Sequence, residues 1–200
     1  MAHNLEKRRA LIWHQERILA YDLAKVLIHK PKVTVWMIML PLLFLFFIQD
    51  LKKYKAAIGN FTDGFLKNKK IALDLALKSV REDISLEAMR TEWISESQPA
   101  AAEQPELFKK QTDEIVWLMN HFRRLLTAGG QSYEALIKSA YCSLSAYQDF
   151  IDTLFDLENA VIRTALTFNP PDENTRELVS LMQSAIRKIR QRERDRLFHG

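Results

Sequence analysis

One uncharged run near the N-terminus dominates the pattern of apolar and polar positions along the chain. Val33 to Ile48 reads VTVWMIMLPLLFLFFI, and lysines stand on both sides of this run. At about 1.5 Å per helical residue the run covers roughly 24 Å, and extension to Leu51 brings it close to the ~30 Å hydrocarbon core of a bilayer. The run therefore predicts a transmembrane helix over residues 33–51, whose membrane-spanning residues include Val33, Trp36, Pro41, Phe44, Phe47 and Ile48.

An apolar core helix of a soluble protein is the alternative explanation of the run, since apolar stretches of fewer than about eighteen residues are ambiguous. A helix that is apolar on every face needs protein or lipid around it, and a chain of 200 residues offers little protein for this purpose. A cleavable signal peptide fits poorly, because residues 1–32 precede the run and no A-x-A-like site follows it. We therefore expect the segment to remain as an anchor.

The region before the run has apolar residues at helical intervals and basic residues between them. Trp13 and Tyr21 carry amphipathic rings that settle at the depth of lipid headgroups, where basic side chains meet anionic lipids. We therefore predict a basic amphipathic helix at the membrane interface over residues 1–32, although the same pattern also fits a helix packed on the rest of the protein. The basic residues assigned to the membrane surface are Arg8, Arg9, Arg17, Lys25, Lys30 and Lys32.

Within this N-terminal part, the predicted helix is followed by Lys30-Pro31-Lys32 and then by an apolar run that contains Pro41-Leu42-Leu43. This order resembles the elbow and first membrane helix of ABC-type exporter permeases. The resemblance implies a subunit, or a fragment-like accessory component, of a membrane transport complex. Such permeases have further membrane helices, and this sequence offers no second candidate span.

After the run, the sequence predicts helices and connectors. Residues 52–98 are expected to form a juxtamembrane connector, with turn signals at Gly59-Asn60 and Asp63-Gly64, and then a helix. The polar, proline-containing stretch 99–105 predicts a linker, and residues 106–200 predict a helical bundle. Because the chain has only five glycines and six prolines, we expect an all-α fold in which an N-terminal amphipathic helix and one transmembrane helix are followed by a three- or four-helix bundle.

Five positions in the predicted bundle carry specific local expectations. Thr112 and Asn174 are predicted to cap the first and last bundle helices, and Ser132 the helix between them. Glu158 interrupts the apolar seam of that middle helix, and a carboxylate at a core position must be paired, protonated or solvated. Cys142 lies next to the same seam and is expected to be a buried, inert thiol.

The net charge of +4 comes from residues 1–32, which contain seven Lys and Arg against three Asp and Glu. This distribution favours a lipid bilayer as partner and disfavours nucleic acid. A second basic cluster, near the C-terminus, fits either a surface that binds a partner or lipid, or a solvated helix end whose cations complement the helix dipole. Its residues are Arg187, Lys188, Arg190, Arg192, Arg194 and Arg196.

The sequence carries no recognisable pattern for catalysis or metal binding. It lacks the HExxH, CxxC and Glu-x-x-His spacings of metal sites, the GxSxG elbow of hydrolases and the Walker loop that holds phosphates. We therefore expect no enzyme activity and no cofactor, and we assign no catalytic, cofactor-binding or metal-binding residue.

Together these features predict a single-pass, membrane-anchored helical protein that is not an enzyme and docks another protein through its bundle. A component of a transport complex is one alternative, and a soluble coiled-coil adaptor, in which Val33 to Ile48 is core, is another. Long domains translocate largely regardless of charge whereas short basic tails do not, so the N-terminus is expected in the cytoplasm and the bundle outside. Association into a homo-oligomer is left open.

Overall fold

The computed structural model describes residues 2–28, 41–168 and 172–199. Eight helices follow one another in this described part of the chain, which contains no strand, so the all-α prediction is confirmed. In chain order the helices are α1 (Ala2–Leu27), α2 (Pro41–Glu82), α3 (Leu86–Glu96), α4 (Gln98–Glu103), α5 (Pro105–Thr127), α6 (Tyr133–Tyr141), α7 (Leu144–Phe168) and α8 (Glu173–His199).

The first two long helices, α1 and α2, pack against each other in antiparallel orientation. A guanidinium nitrogen of Arg9 lies 2.9 Å from a carboxylate oxygen of Asp74. Further along α1, Glu16 lies 3.3 Å from the ammonium nitrogen of Lys69. Residue numbers therefore rise along α1 as they fall along α2, and both helices belong to one bundle.

The other long helices, α5, α7 and α8, complete the bundle around this pair. On the α2 side, the amide of Asn68 donates a hydrogen bond to Glu114 of α5 at 3.0 Å. On the opposite side, α7 and α8 form an antiparallel hairpin in which Gln183 donates to Asn159 at 2.8 Å. The predicted linker 99–105 corresponds to most of α4 and the start of α5. We call the end of the bundle where α1 ends and where the α7–α8 hairpin turns the distal end.

Two hydrophobic clusters of very different size fill the bundle. The larger lies away from the distal end, and its buried members include Leu73, Leu118, Phe122, Leu136 and Ile151. The smaller lies toward the distal end and contains the buried residues Leu23, Leu27, Ala185 and Ile186. Among the residues whose side chains the structure describes, apolar burial is therefore concentrated in the half away from the distal end.

The predicted transmembrane helix is not supported. No helix within residues 2–28, 41–168 and 172–199 is long and apolar enough to cross a membrane. The first half of the apolar run, residues 33–40, lies outside the described residues, and the second half forms the start of α2.

The predicted connector after the run is wrong, because α2 continues through both turn signals, Gly59-Asn60 and Asp63-Gly64. Each glycine in a helix interior costs about 1 kcal/mol relative to alanine. Later in the same helix, Leu66, Ala72 and Leu73 are buried. Burial of this apolar face stabilises a continuous helix by more than the glycines destabilise it.

Two of the three residues predicted to cap bundle helices are not the caps that the structure shows. Thr112 lies inside α5, which begins at Pro105, because proline suits the first turn of a helix. At the start of α8, Asp172 rather than Asn174 accepts the capping hydrogen bond. The side chain of Ser132 caps α6 as expected.

The expectation of a buried Cys142 is also wrong, because this residue is exposed. It ends α6 in a left-handed conformation with a φ of 55°. The single helix predicted after Ser132 is therefore divided into α6 and α7, and the thiol lies at the break.

Candidate functional site

A layer of buried charges crosses the middle of the bundle and separates its two hydrophobic clusters. Glu158 of α7 and Arg190 of α8 form its centre, joined by two hydrogen bonds of 2.7 Å. The ammonium nitrogen of Lys69 lies 3.6 Å from Glu158 and 3.3 Å from Glu16 of α1. Lys69 is 2% exposed and Arg190 is 4% exposed. We call Glu16, Lys69, Glu158 and Arg190 the charge layer.

Two further carboxylates border the charge layer. Glu114 of α5 accepts a hydrogen bond from Asn68 at 3.0 Å. Glu193 of α8 accepts one from Gln15 of α1 at 2.7 Å. The layer and its border therefore bring carboxylates from four helices close to only two cations.

The pKa values of three carboxylates in this region shift in different directions. Burial by itself raises the pKa of Glu158, but the adjacent Arg190 and Lys69 outweigh it and hold that pKa below its usual value. Burial raises the pKa of Glu114, and the nearby charge of Glu158 adds to this effect. Burial followed by repulsion from Glu16 raises the pKa of Glu193. The two cations thus outweigh burial at the central carboxylate, whereas burial outweighs the nearby cations at the two border carboxylates.

The charge layer has the character of a structural network. The cavity beside it measures about 20 Å³, and its lining includes Glu16, Lys69 and Arg190. Such a volume holds about one water molecule and no organic substrate. Within the described residues, no group of three or more His, Cys, Asp or Glu side chains could hold a metal ion. The buried ion pairs fix how α1, α2, α7 and α8 align, because a one-turn slip would leave buried charges without partners.

A second polar feature lies between α5, α6 and α7. Nδ1 of His121 lies 2.6 Å from the hydroxyl oxygen of Tyr141, and the imidazole stacks on Phe150 with 4.0 Å between ring centroids. Burial, with help from the positive charges of Lys69 and Arg124, lowers the pKa of His121 well below its usual value. The imidazole is therefore neutral at physiological pH and serves as a hydrogen-bonded core residue.

The basic residues predicted to lie on a membrane surface are not all available to lipid. Arg8 donates to the Leu126 carbonyl at 2.9 Å, and Arg9 pairs with Asp74. Both are half-buried contacts between α1 and the bundle, whereas Arg17 and Lys25 are exposed on α1. Lys30 and Lys32 lie outside the described residues.

The basic residues near the C-terminus also divide into residues that contact other helices of the bundle and residues that are exposed. Arg190 belongs to the charge layer, so it is not available to a partner. Arg194 donates to Gln148 at 2.8 Å, and the guanidinium of Arg187 lies 4.6 Å from the centre of the Phe155 ring. The other three basic residues of the set are exposed: Lys188, Arg192 and Arg196.

The residues predicted to span a membrane lie at the start of α2 or before it. Val33 and Trp36 are outside the described residues. The backbone of α2 begins at Pro41 and includes Phe44, Phe47 and Ile48.

The exposed large apolar side chains are unevenly distributed. On α1 they come after Glu16, on α7 after Glu158 and on α8 before Arg190, so all of them lie on the distal side of the charge layer. Among the described residues they are Ile18, Tyr21, Val26, Phe168, Leu178 and Leu181. In the described part of the chain, the distal half therefore combines the smaller hydrophobic cluster with the exposed apolar side chains.

Sequence reasoning identified Glu158 and missed most of its partners. The same signal marks its partner Lys69, and also Glu16, which pairs with Lys69, because both occupy core positions of apolar helical stripes, beside Leu73 and Ile12. A charged residue at such a position indicates a buried ion pair, but only the packing shows which charges meet. Comparison of the chain with protein family models, curated proteins and solved structures found no match.

Proposed function

We propose that the protein is a non-enzymatic helical interaction protein that attaches to a membrane through the segment 33–51. The observation that carries this proposal is the position of the exposed large apolar side chains, all on the distal side of the charge layer. The apolar run follows the end of α1 in the chain, and its second half forms the start of α2. Exposed apolar surface beside a longer apolar segment marks a site of membrane or protein interaction.

The packing of α1 supports attachment from one side of the membrane rather than a single crossing. Leu27, at the end of α1, and Phe61, on α2, pack in the same hydrophobic cluster. A crossing that put the N-terminus and the bundle on opposite sides would pull α1 away from α2 and expose Lys69 and Glu16. We therefore propose that α1 and the other helices lie on the same side, which replaces the orientation expected from the sequence.

The length of the run is consistent with this arrangement. An apolar run of about sixteen residues is at the short end for a span, and an interfacial or re-entrant segment is one of the structures that such a length allows. Such segments bury apolar side chains about 5–10 Å below the headgroups. In this proposal the run is an anchor in one leaflet, and the bundle is the part that meets another protein.

Carbonate extraction of membranes from cells that express the full chain tests the attachment. We expect the wild type to stay in the membrane pellet, because the anchor is apolar and not electrostatic. Leu43→Asp with Phe47→Asp should release the protein into the supernatant, since each carboxylate in the hydrocarbon region costs several kcal/mol. Val116→Asp, on the half-exposed side of α5, is the matched control and should leave the protein in the pellet.

Release of the wild type by carbonate would contradict the proposal and favour the soluble adaptor, in which the run is core. A membrane-bound wild type that co-purifies in mild detergent with integral membrane proteins would favour the transport-complex component instead. Recovery as a lone species would count against that alternative.

A further inference from the structure

We infer that the exposed face formed by α1 and α8 docks on the surface of an anionic lipid bilayer. This inference rests on the proposed membrane attachment and names the part of the bundle that meets the lipid. We call this surface the α1–α8 face. Its apolar residues are Ile18, Tyr21, Val26, Leu178 and Leu181, and its basic residues are Lys25, Arg192 and Arg196.

The apolar part of the face is substantial. Five of the six large apolar side chains exposed among the described residues belong to α1 or α8. Leu178 is 49% exposed, Tyr21 48% and Val26 46%. Scattered single apolar residues on a surface need no explanation, but a concentration on two neighbouring helices marks an interaction site.

A groove lies between α1 and α8, and two of the exposed apolar residues, Ile18 and Val26, line it. Its volume is about 460 Å³, and the apolar part of its lining consists of Ile18, Leu19, Val26 and Ile189. Basic side chains stand at its border, namely Lys25 from α1 and Arg192 and Arg196 from α8. The groove thus has apolar walls and cationic edges, which match the acyl chains and headgroups of anionic lipids.

The charge balance at the groove favours an anionic partner. Two carboxylates line it together with the three cations, and both are already engaged. Asp22 lies 3.8 Å from Lys25 and offsets that charge, whereas Glu193 accepts a hydrogen bond from Gln15, so the positive character of the groove comes mainly from Arg192 and Arg196. Arg192 and Arg196 are exposed and extend the positive surface along α8.

The position of the face selects lipid rather than a protein partner. Leu27, the last residue of α1, leads directly toward the apolar run that is proposed to enter the bilayer. The ammonium nitrogen of Lys25 lies 4.2 Å from the ring centre of Tyr21, an aromatic and basic pair suited to headgroup depth. Once the anchor has entered a leaflet, α1 is the described helix that directly precedes it.

Environment-sensitive fluorescence at single cysteines tests the docking with the full chain. One protein carries Cys142→Ser and Val26→Cys, and the other is the wild type, whose only cysteine, Cys142, is exposed at the opposite end of the bundle. Each is labelled with a polarity-sensitive dye and mixed with vesicles of phosphatidylcholine, with or without phosphatidylglycerol. We expect a blue shift for the label at position 26 with phosphatidylglycerol vesicles and none for the label at Cys142.

Each alternative result overturns the inference in a recognisable way. Vesicle flotation without a blue shift at position 26 would leave the anchor intact and refute the docking of this face. An equal shift with pure phosphatidylcholine would refute the anionic preference. A shift that appears without vesicles as protein concentration rises would identify a second copy of the chain as the occupant. If the wild type does not float, the proposed membrane attachment itself is wrong.

Charge variants give a quantitative second measurement. A basic residue near an anionic surface contributes about a fivefold gain in binding, so Arg192→Gln with Arg196→Gln should lower the ratio of affinities for anionic over neutral vesicles roughly 25-fold. The control, Lys7→Gln with Lys138→Gln, removes the same charge at the opposite end of the bundle and should leave the ratio unchanged. Because a ratio is measured, the contribution of the apolar anchor cancels. Equal ratios for the two double variants would overturn the role of the α8 arginines.

Discussion

Glu158 and Arg190 face each other in the core across the α7–α8 hairpin, with both guanidinium-to-carboxylate distances at 2.7 Å. Both residues are more than nine-tenths buried, so neither charge can be solvated if its partner is lost. Removal of water from two charges largely offsets their mutual attraction. The pair therefore determines how the two helices align more than how stable the protein is.

The first prediction concerns this pair. Arg190→Met should lower the free energy of unfolding by about 3–5 kcal/mol, because it leaves a buried carboxylate without its main partner. Glu158→Leu combined with Arg190→Met should recover most of the loss, since a buried ion pair and an apolar pair of similar volume are often equivalent. Urea unfolding of the wild type, both single variants and the double variant gives the coupling energy. Additive losses would show that the two residues do not act as a pair.

The second prediction concerns His121 and pH. Its pKa is lowered well below the usual 6.5 by burial, so the unfolded chain takes up a proton that the folded protein does not. The stability that this residue contributes is fully present above about pH 6.5 and declines as the pH falls, by up to ~1.4 kcal/mol per pH unit. His121→Phe should remove this part of the pH dependence of the unfolding free energy.

Tyr141→Phe is the control for that measurement. It removes the hydroxyl that lies 2.6 Å from His121 but keeps the imidazole. Stability should fall at every pH, while the slope between about pH 5 and 6.5 persists. An unchanged slope in His121→Phe would assign the titration to another group.

The third prediction concerns Gly59 and Gly64, which belong to predicted turns but lie inside α2. A Cβ atom at Gly59 or Gly64 would meet no heavy atom within 4 Å. Gly59→Ala and Gly64→Ala should therefore each raise the free energy of unfolding by about 1 kcal/mol. Gly130→Ala should lower it, because its φ is 147° and its Cβ would lie 2.7 Å from that of Ala135. Thermal unfolding of the three variants tests whether stability rises in Gly59→Ala and Gly64→Ala and falls in Gly130→Ala. A loss of stability in Gly64→Ala would show that the added methyl group disturbs a contact on this face of α2.

The fourth prediction concerns Cys142, whose φ of 55° lies in the left-handed region. A residue with a Cβ atom in this conformation costs roughly 1 kcal/mol. Cys142→Gly should relieve this cost and raise the unfolding free energy by about that amount, and Cys142→Val should lower it, because branching at Cβ makes the conformation worse. Asp83 is a matched position, because its φ is 52°. Asp83→Gly should therefore also raise the unfolding free energy. The exposed thiol should also react with a soluble thiol reagent in the folded protein.

The sequence by itself determined the helical class and several local features. Low glycine and proline content and apolar residues at helical spacing predict helices wherever they occur, because these signals act within one or two turns. Ser132 is a correct cap for the same reason, since the bond joins residues three apart. Glu158 was also singled out from the sequence as a carboxylate at a core position, because its neighbours along the helix are apolar, but whether it is paired, protonated or solvated was left open.

Only the tertiary structure decided how the helices associate. The partner of Glu158 is Arg190, 32 residues away, and no local pattern specifies a contact at that separation. Packing also overrode the turn signals in α2, because burial of Leu66 and Leu73 outweighs the preference of two glycines. For the same reason Arg8 and Arg9, which look like lipid-binding residues in sequence, bind the bundle. An amphipathic helix has an apolar face whether it lies on a membrane or packs on a protein. The rest of the fold decides which of the two surfaces covers that face.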